Sequence, residues 1–545
     1  MSYFNPDSDC THLLYLLLYA EIHYRIGHLI SLIKKKEPEC IVDLPHRLEP
    51  GHRLPLLLLI KDAHLYPVCL HSLTAALIEK SQKTELFRKD FSALDVTEPF
   101  WNQVFHITPP RAFPEKVKID VEVAYSIDGI QKTFHNDNYR FTSHKPFEIL
   151  IDSHPLPTKP NWYFGDLHYH SDFTNDQVEY GAPLPATRDM AKAMGLSFFA
   201  ATDHSYDLDD KVGDYLVNDP AHPKWHQMRK TIEYMNKREK SFVVIPGEEL
   251  SVGNAAGRNV HFLILNNLSL FTGSGDSAEK WLNNRPDCDI DAILNQIDGT
   301  AIAFAAHPEI VPPLLQRLLL KRGKWQNPDY RSDILNGLQI WNSRKDRYFL
   351  RGIKKWVDQL KTGRRMSIIA GNDAHGNFGR FRQVGVPHLK LREDSSEIFG
   401  RARTGIYCEN QLTLDRLISA LRIGRTIVTD GPFAEILLTD RSSGHFLIGD
   451  TFSGSQGDLH IDVRSSRLFG NLKSVDLCVG EVGKSLEMKV PFDLKPDCLT
   501  LNTKRHLIDL PKHGWIRLDV KSARDGKHYR CLTNPIYLQE SIKKV

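Results

Sequence analysis

Hydrophobic and polar positions divide the chain into stretches of different period. Over residues 12–36, Leu14, Leu18, Ile22, Ile26, Leu29 and Ile33 recur at three- and four-residue steps, while Glu21, Arg25 and His28 mark the other face. This spacing predicts a helix closed by Lys34-Lys35-Lys36, the charge sign a helix C-terminus favours. Such a helix docks on the domain behind it or on another subunit, or lies on a membrane surface. From about 50 to 155 the pattern shortens to strands: Leu54–Lys61, Val68–Ile78, Val104–Ile107, Val117–Tyr125 and Pro146–Ile151, with turn residues such as Asp128-Gly129 between them. A β-sandwich-like unit is expected there.

Farther along, strand and helix patterns alternate. Strand-like runs are Trp162–His168, Phe198–Ala201, Phe242–Ile245, Val260–Leu265, Ala301–Ala305, Gly337–Trp341 and Met366–Ala370. Helix-like stretches include Pro185–Met194, Pro312–Lys321 and Tyr348–Leu360. That alternation predicts an α/β unit with a parallel sheet or barrel. After 433 the helical period is lost, and Ala434–Leu438, Leu459–Val463, Ser474–Val479 and Trp515–Val520 read as strands of a second β-domain. The expected organisation is a helical segment over 1–49, a β-sandwich-like domain over 50–158, an α/β domain over 159–432 and a C-terminal β-domain over 433–545.

Composition narrows the partners. Lys plus Arg number 70 against 67 Asp plus Glu, so no global basic footprint points to nucleic acid. The eight cysteines form no CxxC pair, which argues for free thiols rather than a disulfide scaffold. The polar, acidic start MSYFNPDSDC is unlike a secretory signal, and Leu13–Ala20 is too short an apolar run to span a bilayer. A cytoplasmic protein without a transmembrane segment is expected.

The candidate chemistry gathers where the central strands end. One runs into Gly165-Asp166-Leu167-His168-Tyr169-His170-Ser171, where residues two apart share a face. Others run into Thr202-Asp203-His204, Pro246-Gly247-Glu248-Glu249, Ala306-His307-Pro308 and Gly371-Asn372-Asp373-Ala374-His375, and a fourth strand opens near His261. In parallel α/β folds the carboxyl ends of strands converge on one face. Buried carboxylates gathered there need a countercharge. A divalent metal supplies it, and imidazole with carboxylate donors suits Zn, Mn or Fe.

The motif order over about 161–380, HxH, TDH, PGxE, His, His-Pro and DxH, resembles the polymerase and histidinol phosphatase (PHP) superfamily. The resemblance implies a distorted βα barrel, flanked here by N-terminal and C-terminal β-sandwich-like domains, with two or three divalent metals at the strand ends. It implies His168, His170, His204, Glu249, His261, His307, Asp373 and His375 as ligands, with Glu249 rather than Glu248 at the ligand position. After HxHS the family places an Asp where this chain has Thr174-Asn175-Asp176, so either Asp176 reaches the metal one residue late or Asn175 substitutes for it. Leu421-Arg422-Ile423-Gly424-Arg425-Thr426 with Thr429-Asp430-Gly431-Pro432, and the late Thr533-Asn534-Pro535-Ile536-Tyr537, are similar to the CehA/McbA-like branch, which includes carbamate-ester hydrolases.

The expected function is a metal-dependent hydrolase of ester bonds, a phosphoesterase acting on a small phosphorylated molecule through a metal-bridging hydroxide. The alternatives are a carboxyl or carbamate ester hydrolase with the same metals, or a non-catalytic, metal-stabilised scaffold. Glu249 and Asp373 are the expected catalytic carboxylates. Asp203 is expected either to orient an imidazole or to serve structure alone. Arg425, with Arg380 or Arg382, is the candidate for binding an anionic substrate group.

Overall fold

The computed structural model describes residues 37–80, 82–110, 115–138, 144–175, 180–273, 275, 284–380, 397–441 and 443–540. The helix predicted over 12–36 lies outside them, as do Asp176 and Arg382. Among the described residues no helix is long and apolar enough to cross a membrane.

The N-terminal strands form where the sequence pattern places them. Leu54–Lys61 is buried along its whole length and pairs antiparallel with Glu39–Asp43 and Phe100–Ile107. Val68–Glu79 and Lys116–Ile127 alternate buried and half-buried positions, and they pair in a six-stranded sheet with Gln82–Val96 at its edge. Alternation of this kind is what a strand with one covered face requires.

The central strands also occur close to the predicted ranges, but their pairing is not that of a βα barrel. Trp162–His170, Phe198–Ala201 and Val243–Gly253 are parallel neighbours. Asn259–Leu265 then returns antiparallel to Val243–Gly253 and pairs antiparallel with Ile302–Ala305 as well. Gly337–Asn342 and Ser367–Gly371 resume the parallel direction. On the other side, Arg403–Tyr407 and Thr426–Thr429 are antiparallel, and Thr426–Thr429 pairs with Lys527–Thr533 of the C-terminal part. The result is one mixed sheet of 16 strands that runs from the centre into the C-terminal region.

This corrects the expected fold class. Among the described residues 46% lie in strands and 15% in helices, arranged in large sheets rather than as an α/β barrel. The physical reason is local: a barrel needs a helical crossover between successive parallel strands, whereas a hairpin at 254–258 joins Val243–Gly253 to Asn259–Leu265. Periodicity reports that a segment is extended, but not which neighbour it pairs with or in which direction.

Two helices brace the sheet beneath the site. Leu414–Ile423 lays Leu417 and Leu421 against the cluster that contains Ile245, Leu263 and Phe304. Arg347–Lys361 buries Trp356, whose Nε1 donates to the Met366 carbonyl at 2.7 Å. A further helix, Pro223–Arg238, packs Trp225, Met228, Ile232 and Met235 inward at three- and four-residue spacing.

Candidate metal centre

Six sequence segments deliver one buried cluster. Trp162–His170 brings His168 and His170, which are two apart on one face and fully buried. Ser367–Gly371 passes close beside it, because a Cβ on Gly371 would lie 2.5 Å from that of His168. The chain then turns through Asp373 with φ 54 and pairs Ala374–His375 in parallel with Tyr169 and His170. The Asp373 N–H donates to the His168 carbonyl at 2.9 Å. His307 also takes a positive φ, 27°. Strained backbone at two donor positions is held by the surrounding structure and is characteristic of functional sites.

Glu249 is the hub. His261 Nδ1 lies 2.8 Å from its Oε1, with His168 Nε2 and His307 Nε2 each at 3.2 Å. On its Oε2 side stand His204 Nδ1 at 3.1 Å and His170 Nε2 at 3.4 Å. Asp373 Oδ1 is 3.1 Å from His170 Nε2 and 3.3 Å from His168 Nε2. Three overlapping groups result: His170, His204 and His375; His168, His170, Glu249 and Asp373; and Glu249, His261 and His307, with the donor atoms of each group within 4.8 Å of one another. His170 and Glu249 each belong to two groups.

The electrostatics are those of mutual compensation. Burial would raise the Glu249 carboxyl, but His261 and His168 beside it hold it well below the usual range. Burial likewise opposes ionisation of Asp373, but His168 and the charge and hydrogen bond of His170 together hold it well below the usual carboxylate range. Glu249 and Asp373 raise His168 against the effect of burial, and raise His170 strongly. His204 is pushed down to about 4 by burial and by His170. The cluster therefore balances its carboxylates with protons on imidazoles.

The supporting shell was not read from the sequence. His168 Nδ1 donates to Gln339 Oε1 at 2.9 Å, which directs Nε2 at the cluster. Gln339 Nε2 donates to Asn342 Oδ1 at 3.2 Å, and Asn342 Nδ2 donates to Asp373 Oδ2 at 3.3 Å. Asp166 accepts from the His168, Asn372 and Gly400 N–H groups, and burial pushes its carboxyl up to about 6. The available signal was a polar residue inside an apolar strand: Gln339 in GLQIWN and Asp166 in WYFGDLHYH.

Other expected residues take definite places. Among the described residues Asp203 bonds no imidazole; it accepts from Ser171 N at 2.7 Å, Ser171 Oγ at 2.8 Å and Thr174 N at 2.9 Å, and so fixes the turn after His170. Thr174 Oγ1 in turn stands 3.5 Å from His170 Nδ1. Glu248 points away from Glu249 and accepts from Ser205 Oγ at 2.6 Å, with burial raising it to about 8. Arg425 lies at the opposite end of the Trp162–His170 strand: its carbonyl accepts from Tyr407, which pairs with Trp162, and its guanidinium binds Asp450 at 3.0 Å. Arg380 donates to the Lys145 carbonyl and covers the Phe147 ring.

No family model matches the chain, and no curated protein does. Among solved structures the search finds a glycosyl hydrolase family 2 member from Bacteroides cellulosilyticus at 12% identity and a TM-score of 0.18, covering 92% of this chain and 63% of that one. It also finds a Parabacteroides merdae β-glucuronidase at 12% identity and 0.18, covering 94% and 65%. A putative β-galactosidase from Bacteroides fragilis follows at 10% identity and 0.17, covering 93% and 74%. The chain thus spans less than two thirds of the first two, and so weak a likeness assigns neither fold nor activity. The PHP resemblance is corrected accordingly: no family model and no curated protein of that superfamily or its CehA/McbA-like branch matches the chain. Motifs of two to four residues report the local chemistry of strand ends and do not establish descent.

Proposed function

We propose that the protein is a metal-dependent hydrolase and, more finely, that it cleaves phosphoesters of small molecules. The observation that supports this reading is the convergence of three overlapping donor groups on the buried hub Glu249. The donors fit a divalent ion. They are nitrogen and oxygen, suited to Zn, Mn or Fe, and Glu249 Oε2 is buried beside His204 Nδ1 at 3.1 Å and His170 Nε2 at 3.4 Å, neither aligned as a hydrogen bond. His168, His170, Glu249 and Asp373 would hold one ion, with the remaining imidazoles serving neighbours on either side. A divalent ion bound here would make hydroxide available near neutral pH and would draw electron density from substrate oxygens.

The chain's own residues do the rest. Glu249, 1% exposed, carries the permanent negative charge shared between groups. Asp373, 22% exposed, is the carboxylate that solvent reaches, and it is placed to accept a hydrogen bond from a water at the site. Gln339 and Asn342 hold His168 and Asp373 in place by the hydrogen bonds given above. A phosphoryl group spreads charge over several oxygens, and a site built for more than one cation stabilises that charge most directly.

A parallel panel tests the reading: p-nitrophenyl phosphate, bis-p-nitrophenyl phosphate, p-nitrophenyl acetate and 1-naphthyl N-methylcarbamate, with Mn or Zn added. The expected result is phosphoester turnover lost in His170→Ala. Turnover confined to the last two substrates would replace the phosphoester with a carboxyl or carbamate ester. No turnover by fully metal-loaded protein would leave a metal-stabilised scaffold.

A further inference from the structure

A shallow, solvent-open cleft lies beside the cluster. Its inner wall is His307, Gln339 and Asn342, so it begins at the residues that form and support the candidate centre. Ile310, Ile340 and Phe349 give it an apolar side. Arg344 stands in its lining, and the backbone is shaped to put it there. Immediately after the Gly337–Asn342 strand, Ser343 adopts φ 60, a left-handed conformation that an L-residue enters only when held. Three hydrogen bonds hold it: Ser343 N–H to the Gly371 carbonyl at 3.1 Å, Arg344 N–H to the Asn342 carbonyl at 2.6 Å, and Glu397 N–H to Ser343 Oγ at 2.5 Å.

Two carboxylates also line the cleft: Glu309, which faces Lys324 at 3.6 Å and Lys355 at 3.9 Å, and Asp346, which caps the following helix through the Tyr348 and Phe349 N–H groups. A guanidinium at the mouth of a cleft that leads to clustered cation ligands suits a tetrahedral oxyanion, which it can grip with two parallel N–H donors.

We propose that this cleft seats the substrate and that Arg344 binds its phosphoryl charge, which makes the preferred substrate a small monoester with a compact apolar alcohol; this rests on the hydrolase reading above. The test is calorimetric titration of metal-loaded protein with inorganic phosphate, using wild type, Arg344→Gln and Arg344→Lys. Arg344 is exposed, so its replacement should leave fold and metal stoichiometry intact. The expected result is phosphate binding by wild type, at least tenfold weaker binding in Arg344→Gln, and intermediate binding in Arg344→Lys. Equal affinity in wild type and Arg344→Gln overturns the assignment, as does failure of metal-loaded wild type to bind phosphate. Arg344-dependent binding without turnover of any panel ester would sink the hydrolase reading and leave the anion site standing.

Discussion

Two buried ionic clusters in this molecule solve the same problem differently. At the junction of the N-terminal strands with the centre, Arg47 pairs with Glu49 at 2.7 Å and Asp152 at 3.4 Å, and it donates to the Met194 carbonyl at 2.8 Å. Glu49 also accepts from the Leu156 N–H at 2.7 Å. The cation there is a guanidinium, permanently charged and covalently part of the chain. At the strand ends the cations that face Glu249 and Asp373, among the described residues, are imidazoles, whose charge is a proton that can leave. A cluster with its own fixed cation is finished and structural. One that balances carboxylates with removable protons is prepared for an exchangeable cation, and that difference separates structure from chemistry here.

The comparison predicts opposite responses to disruption. The largest effect on stability should come from Arg47→Ala, which strands two buried carboxylates. It should cost about 3–5 kcal/mol in denaturant unfolding while leaving metal content per folded chain unchanged. If Arg47→Ala strips metal without destabilising the fold, the two clusters are not separate. Next in size is His170→Ala. Because His170 serves two of the three donor groups, it should lower metal stoichiometry further than His261→Ala, which touches one; equal losses would mean the groups do not overlap as described.

Chelation of wild type should lower stability by about 2.7 kcal/mol for protein held at ~100 times the dissociation constant of its metal. In the Arg47→Ala background the chelator should remove the same increment, and thermal melts with and without chelator check this. A smaller effect is expected from Asp203→Asn, which loosens the turn after His170. Metal affinity should fall by about tenfold, the low end for residues that support ligands; an unchanged titration would limit Asp203 to fold alone.

The pH dependence has a determined sign. His168 and His170 bind protons more tightly than ordinary imidazoles, because the carboxylates beside them outweigh burial. Metal must displace those protons, so affinity should fall as pH is lowered from 8 to 6. Affinity that rises or stays flat over that interval would contradict the proton-balanced state described above.

Much of the site was legible, and the reasons are local. A strand that ends in HYH or NDAH announces paired side chains on one face, whatever the sheet around it does. Strands such as Leu54–Lys61 and Phe198–Ala201 were legible for the same reason: burial writes itself as an apolar run. Sheet direction was not legible, because Val243–Gly253 and Asn259–Leu265 read alike whether joined by a crossover or by a hairpin. The supporting roles of Gln339, Asn342 and Asp166 depend on contacts between segments as many as 234 residues apart, such as Asp166 with Gly400. The position of Arg425 was not legible, because a motif gives proximity in sequence, whereas the strand it borders carries it to the end away from the histidines. The helix Pro223–Arg238 shows a clear apolar stripe that the many charged residues between its members obscured.

The central claim is that the strand-end cluster is built for divalent cations. Elemental analysis of protein purified without chelator measures this most directly, with His170→Ala and Arg47→Ala prepared alongside. The account predicts at least two divalent metal ions per chain in wild type, fewer in His170→Ala, and the wild-type number in folded Arg47→Ala. A wild-type stoichiometry well below one, unchanged after incubation with Zn or Mn, would contradict it.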